Sequence, residues 1–255
     1  MIDADRLLGV FLDLVRIDSP SGREERVAAD LVMRLERLGL SPERDGAGNV
    51  FATVDGVGEP LLLTAHMDTV SPGENVRPAV RDGVVYSDGT TVLGADDKSG
   101  VAIILEVLEA LGAAGAAHRP LDILFTVREE TGLQGAKAFD RGRLRARLGV
   151  GLDAHGEQGT IVVQAPAQNA LRVAVHGRMA HAGVNPQDGI NAIRVAAEAI
   201  AAMPLGRIDA ETTANIGLIS GGTATNIVPD LVTLRGEARS RREESLEAQT
   251  RRMVA

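Results

Sequence analysis

Cysteine and tryptophan are absent from the 255 residues, tyrosine occurs once and phenylalanine four times. Without cysteine there is no disulfide, no thiolate metal site and no Cys nucleophile, so any metal must be held by His, Asp and Glu. Positive charge is also in short supply: 27 Lys+Arg against 35 Asp+Glu leave a net charge of −8 with His neutral. A nucleic-acid-binding chain wants a basic face interleaved with stacking rings, and neither is here. No apolar run approaches the roughly 18–20 residues of a membrane span. The first 22 residues mix acids among apolar side chains and lack a basic leader and a cleavage site, so a cytoplasmic protein without a signal peptide is expected. What is present is 44% hydrophobic residues, enough for a core, at a length that suits one large domain or two small ones.

Leu7, Leu8, Phe11, Leu12 and Val15 recur at helical spacing and predict a first helix over residues 3–17. Ser21 with Glu24 reads as a capping box opening a second helix over 24–38, which Gly39 closes. Residues 49–54 alternate as a strand. Residues 61–65, 121–127 and 148–152 are nearly continuous apolar runs, the mark of strands buried on both faces. Val101, Ile104, Leu105 and Leu108 place a helix over 98–111. Buried strands alternating with amphipathic helices predict a layered α/β domain. The texture changes near Pro166. Residues 170–176 alternate, 189–203 form an alanine-rich helix, 212–220 and 227–238 are strands, and Ser240 with Glu243 is a second capping box opening a helix that runs to Ala255. This β-α-β-β-α order is one strand short of a ferredoxin-like unit. Two domains are therefore expected, 1–165 and 166–255.

Four acidic or His clusters fall at the C-terminal ends of predicted strands, where open α/β sheets place ligands. His66 and Asp68 stand two apart on a strand and share a face, so Asp68 can hold one imidazole nitrogen while the other meets a metal. Asp96 and Asp97 sit in a Gly-flanked turn before a helix. Glu129 and Glu130, adjacent on a strand end, point opposite ways and suit two different roles. Asp153 follows the third apolar run. Singly, each has an ordinary explanation: a surface His beside an Asp, acids complementing a helix dipole, a solvated strand end, a turn residue. Jointly, four strand ends with His or carboxylate and no cysteine form the pattern of a hard or borderline metal site.

These motifs resemble the M20 metallopeptidase family, most closely its peptidase T-like branch. The matching stretches are HMDTV (66–70), TTVLGADDKSG (90–100), VREETGLQGAK (127–137), LDAHG (152–156), GRMAHAG (177–183) and TNIVPD (225–230), in this order along the whole chain. The resemblance implies a co-catalytic zinc enzyme with a catalytic α/β domain and a smaller ferredoxin-like lid domain of the dimerisation type. It implies His66 and Asp153 as ligands of a first zinc, Asp68 as the partner orienting His66, Asp96 as the carboxylate bridging two zincs, and Glu130 as a ligand of the second. It implies Glu129 as the general base and His181 as a lid residue polarising the substrate carbonyl. Asn226 and Arg239 match lid positions that contact substrate. The bond between Asp96 and Asp97 is often cis in the family.

The family's second zinc takes one more His from a segment after the lid, and no residue here matches it. His155 reads as a loop residue, His176 as a strand residue and His118 as surface. The lid is thus expected to lack its last strand, and both domains to be incomplete at the C-terminus. The implied function is zinc-dependent hydrolysis of short peptides, of the tripeptide aminopeptidase kind, by a chain that forms a homodimer through its lid. The alternatives are an amidohydrolase or carboxypeptidase of the same fold acting on N-acyl amino acids or dipeptides, and, from another class, an inactive fragment or metal-binding module.

Overall fold

Helical stripes and apolar runs become packed elements in a computed structural model that describes residues 1–154, 156–157 and 159–255. The chain divides into two compact units, Met1–Glu157 and Gln158–Ala255.

The first unit contains α1 (Ala4–Val15), α2 (Glu25–Arg37), β1 (Glu43–Arg44), β2 (Val50–Val54), β3 (Leu61–His66), β4 (Ala79–Arg81), β5 (Val84–Tyr86), α3 (Ala95–Ala114), β6 (Leu121–Thr126), α4 (Gln134–Ala138) and β7 (Leu148–Gly151). Five strands form one sheet in the order β1-β2-β6-β3-β7. β3 runs parallel to both β6 and β7, and β2 joins β6 antiparallel. The chain leaves β3 through α3 to reach β6 on one side, then returns through α4 to β7 on the other. β3, which ends at His66, is therefore the switch point of the sheet, where open α/β sheets place their ligands. The main core lies under α1, α2 and α3, where Leu14, Leu31, Leu35, Val101 and Ile104 meet Val50, Ile123 and Phe125 with no exposed surface. A smaller cluster on the opposite face joins Phe51, Leu124 and Phe139.

Several local expectations are corrected. The run 148–152 does not become a doubly buried strand: β7 is the edge of the sheet, with Leu148 70% exposed. An apolar run reports what a strand can bury, not whether a neighbour covers it. The Ser21–Glu24 capping box does not form. Glu24 is itself the N-cap residue of α2, and the Ser21 hydroxyl donates to Asp68 Oδ2 at 2.7 Å. The β4–β5 hairpin, with Asp82 and Gly83 both at positive φ, was not anticipated; such φ values suit a two-residue hairpin turn.

The second unit contains β8 (Ala167–His176), β9 (Ala180–His181), α5 (Ala192–Ala202), β10 (Gly206–Arg207), β11 (Thr212–Gly221), β12 (Ile227–Val228), β13 (Leu231–Ser240) and α6 (Glu243–Val254). Its sheet has the order β10-β11-β13-β8, all antiparallel. The long elements β8, α5, β11, β13 and α6 reproduce the β-α-β-β-α order, with β8 at an open edge. Both helices pack on the sheet face that carries Leu171, Val173, Val232 and Leu234. The predicted strand 227–238 is split in two by Pro229, which cannot donate to a ladder. The second capping box fails as the first did: α6 is capped at Arg242, whose amide donates to the Ser240 hydroxyl.

Candidate active site

His66 ends β3, the central parallel strand, and is buried with only 3% of its surface exposed. Its Nε2 lies 2.9 Å from Asp96 Oδ1 and its Nδ1 lies 3.4 Å from Asp68 Oδ1. The second separation is longer than a well-formed hydrogen bond, so Nδ1 is weakly satisfied. Asp68 is wholly buried and makes up the difference elsewhere: Ser21 Oγ and the amides of Glu129 and Glu130 donate to it, at 2.7, 2.9 and 3.3 Å. Asp96 and Asp97 open α3 through a cis peptide bond, in non-helical conformations, after a left-handed Gly94. Asp97 turns inward, where its Oδ1 accepts from the Gly100 amide at 3.0 Å. A Cβ on residue 100 would stand 2.3 Å from that oxygen, so this turn requires glycine.

The strand ends converge. His66, Glu129 and Asp153 bring ligand atoms within 4.8 Å of one another, and so do His66, Asp96 and Glu130. All five residues expected as metal ligands or base at three strand ends and one helix start thus meet around one imidazole. Glu129, expected as the base, lies within ligand reach of His66 and Asp153. His155 lies outside the described residues.

Burial and crowding leave the carboxylates ill at ease. Burial, reinforced by Asp153, pushes Asp97 up to about 7. Burial and the charge of Asp96 push Asp153 up to about 6 and also raise Glu130. For His66 burial alone would depress the imidazole, but the bonds to Asp68 and Asp96 and the charges around it win and raise it to about 10. Asp68 opposes its own burial through His66 and Ser21 and falls to about 2. Carboxylates crowded and buried in this way are what a divalent cation would relieve, and the donor set, one imidazole and carboxylates, fits zinc.

The raised His66 gives a signed prediction. In the metal-free protein its proton contributes stability in full below the ordinary value of 6.5, and that contribution is lost as pH rises through about 10. Zinc bound through His66 would displace this proton, and its apparent affinity would then rise roughly tenfold per pH unit above neutrality. Calorimetric titration with zinc in buffers of different ionisation enthalpy should register about one proton released per first zinc. Uptake without proton release would contradict the assignment.

In the second unit His181 lies exposed on β9, which pairs with β12 so that His181 faces Ile227. Asn226 is next to this pair, its carbonyl accepting from Ala182 at 2.9 Å. The fold thus brings His181 and Asn226 together. It does not bring Arg239 to them: Arg239 stands eight residues along β13 from Leu231, about 26 Å at strand rise, and its guanidinium is engaged by Glu237 at 2.8 and 3.1 Å. Residues that the motifs did not single out also serve the site. Ser21, Glu24 and Asn49 hold it from distant segments, and no local spacing could have announced them.

Several known proteins are similar to this chain. The family described as peptidase dimerisation domain matches residues 168–255, and peptidase family M28 matches residues 49–198. The YqjE protein of Bacillus subtilis (strain 168) is 46% identical over all of this chain and 71% of its own length. The crystal structure of aminopeptidase PepT from Bacillus cereus is 44% identical, with TM-score 0.90, over 99% of this chain and 70% of that one. A tripeptidase from Staphylococcus aureus is likewise 44% identical, with TM-score 0.94, over 100% of this chain and 71% of that one.

Proposed function

The chain belongs to the M20 family of metallopeptidases, in its peptidase T-like branch, and from that premise we propose that it is a zinc-dependent aminopeptidase that removes the N-terminal residue of tripeptides. The observation that carries this reading is the convergence of His66, Asp96, Glu129, Glu130 and Asp153 within ligand distance at the switch point of the sheet. We read residues 1–165 as the catalytic domain and 166–255 as the lid, and the dimerisation-domain match supports a homodimer built through the lid.

We assign His66, Asp96 and Asp153 to one zinc, which leaves an open position for chemistry, and Asp96 with Glu130 to a second. When bound, zinc supplies a Lewis acid that lowers the pKa of water and polarises a carbonyl. The protein's own groups do the rest. Asp68 keeps the His66 ring oriented through Nδ1 and leaves Nε2 for the metal side. Glu129 takes the proton of the attacking water and returns it to the leaving amine. His181 donates to the carbonyl oxygen as negative charge develops there, and Asn226, beside it on the neighbouring segment, contacts the substrate.

The zinc-loaded protein should release the first residue of a tripeptide with a free N-terminus and leave the N-acetylated peptide intact, with activity lost in a chelator. Mass spectrometry of the products reads this directly. Cleavage of the acetylated peptide from its C-terminus would replace this reading with the carboxypeptidase one. No helix among the described residues is long and apolar enough to cross a membrane.

A further inference from the structure

Four consecutive amides leave β6 without a sheet partner for the turn that follows, and buried side chains take them all. Asn49 Oδ1 accepts from Val127 at 3.1 Å, Glu24 Oε1 from Arg128 at 3.1 Å, and the two oxygens of Asp68 from Glu129 and Glu130. Asn49 is fully buried and its own Nδ2 donates to the Gly135 carbonyl at 3.0 Å, closing the far end of the same loop. The Glu24 oxygen that holds Arg128 also accepts from Gly22 at 2.8 Å. Gly22 follows Ser21, whose hydroxyl holds Asp68. Glu24 is 5% exposed, and both of these bonds go to backbone amides.

The residue gripped by Glu24 is the one that turns the chain. Arg128 has φ +53°, in the left-handed region that a non-glycine residue adopts only when its surroundings hold it there. Its conformation sets where the next two side chains point, and those are Glu129 and Glu130. A buried carboxylate that binds two amides does so through charge-assisted bonds, stronger than neutral ones. One oxygen thus fixes both the turn that orients Asp68 and the turn that aims the paired glutamates.

We propose that Glu24 is a positioning residue of the active site: its carboxylate locks Arg128 in the left-handed conformation and so aims Glu129 at the attacking water and Glu130 at the metal. The proposal rests on the roles given to Glu129 and Glu130 above.

Glu24→Ala and Glu24→Gln test it, with three readouts: thermal unfolding, zinc affinity by competition with a chelator, and steady-state kinetics on a tripeptide. Partners that orient metal ligands typically cost 10–100-fold in affinity or activity when lost. Glu24→Ala should therefore lower kcat of the zinc-loaded enzyme by roughly 10–100-fold and zinc affinity by about tenfold, with KM moving less than about threefold. Glu24→Gln keeps an acceptor oxygen without the charge and should recover most of both losses, ending about three- to fivefold below wild type. A purely structural role would lower the melting temperature and spare kcat and zinc affinity per folded molecule, and that result overturns the proposal. If the Ala variant does not fold, the Gln variant decides alone, and wild-type zinc affinity and kcat there overturn it equally. If the wild-type protein binds zinc but cleaves no tripeptide, the assigned reaction fails while the zinc titration still judges the clamp.

Discussion

Glu129→Gln is expected to lower kcat on a tripeptide by roughly 10²–10⁴-fold, the usual cost of losing a general acid–base, while zinc stays bound. The substitution keeps size and shape and removes only the ability to take a proton. The backbone of residue 129 remains tied to Asp68 Oδ1, so the loop should not move. Glu130→Gln should do the opposite in kind: it removes a charge from a metal site where Asp96 and Glu130 are the proposed protein ligands, and zinc occupancy should fall by about 10–100-fold in affinity, with activity following occupancy. The two glutamates are adjacent, and both lie in ligand reach of His66, in different groupings. Geometry alone therefore permits either to be the ligand. Elemental analysis after dialysis, beside kinetics with added zinc, separates them. If Glu129→Gln strips the metal and Glu130→Gln spares it, the roles are reversed. Excess zinc should restore Glu130→Gln and leave Glu129→Gln slow.

Most of the residues assigned to the metal side were legible because they sit at the ends of strands that announce themselves, while Asp96 opens α3. His66 follows LLLTA, Glu129 and Glu130 follow the run ending at Val127, and Asp153 follows β7. Strand ends of a parallel sheet share one rim, so residues far apart in sequence are predicted to meet there. The supports were not legible for the opposite reason. Ser21 and Glu24 have the spacing of a capping box, and that local rule gave a complete account of them. The structure overrides it because Asp68 and the left-handed Arg128 compete for the same groups. A buried carboxylate and an unpaired amide have more to lose than a helix end that water can reach. Asn49 tells the same story: as part of an alternating strand it looked like an ordinary polar residue, yet it is fully buried with bonds to residues 45, 127 and 135. The exposure of β7 was hidden too, since burial of a strand depends on its neighbours and not on its own composition.

His181→Ala is expected to leave folding and zinc content unchanged and to lower kcat by roughly 10²–10³-fold, the loss typical of one oxyanion donor. His181 is exposed, on a two-residue strand, so little packing depends on its ring. Its tautomer is set locally: Nδ1 accepts from the Gly183 amide at 3.1 Å, which assigns the proton to Nε2. Its backbone is held as well, the amide donating to Asn185 Oδ1 at 3.3 Å. The loop thus occupies Nδ1 and leaves Nε2 as the outer nitrogen, the one placed to donate to a developing oxyanion. Such a bond strengthens mainly in the transition state, so KM should move much less than kcat. An exposed turn histidine without this role would change activity by less than about twofold, as surface substitutions usually do little. Kinetics on a tripeptide series at matched zinc loading distinguishes the two, and His181→Gln, which can present an amide donor, should fall between Ala and wild type. A near-wild-type kcat for His181→Ala would remove this residue from the mechanism and leave the metal alone to hold the oxyanion.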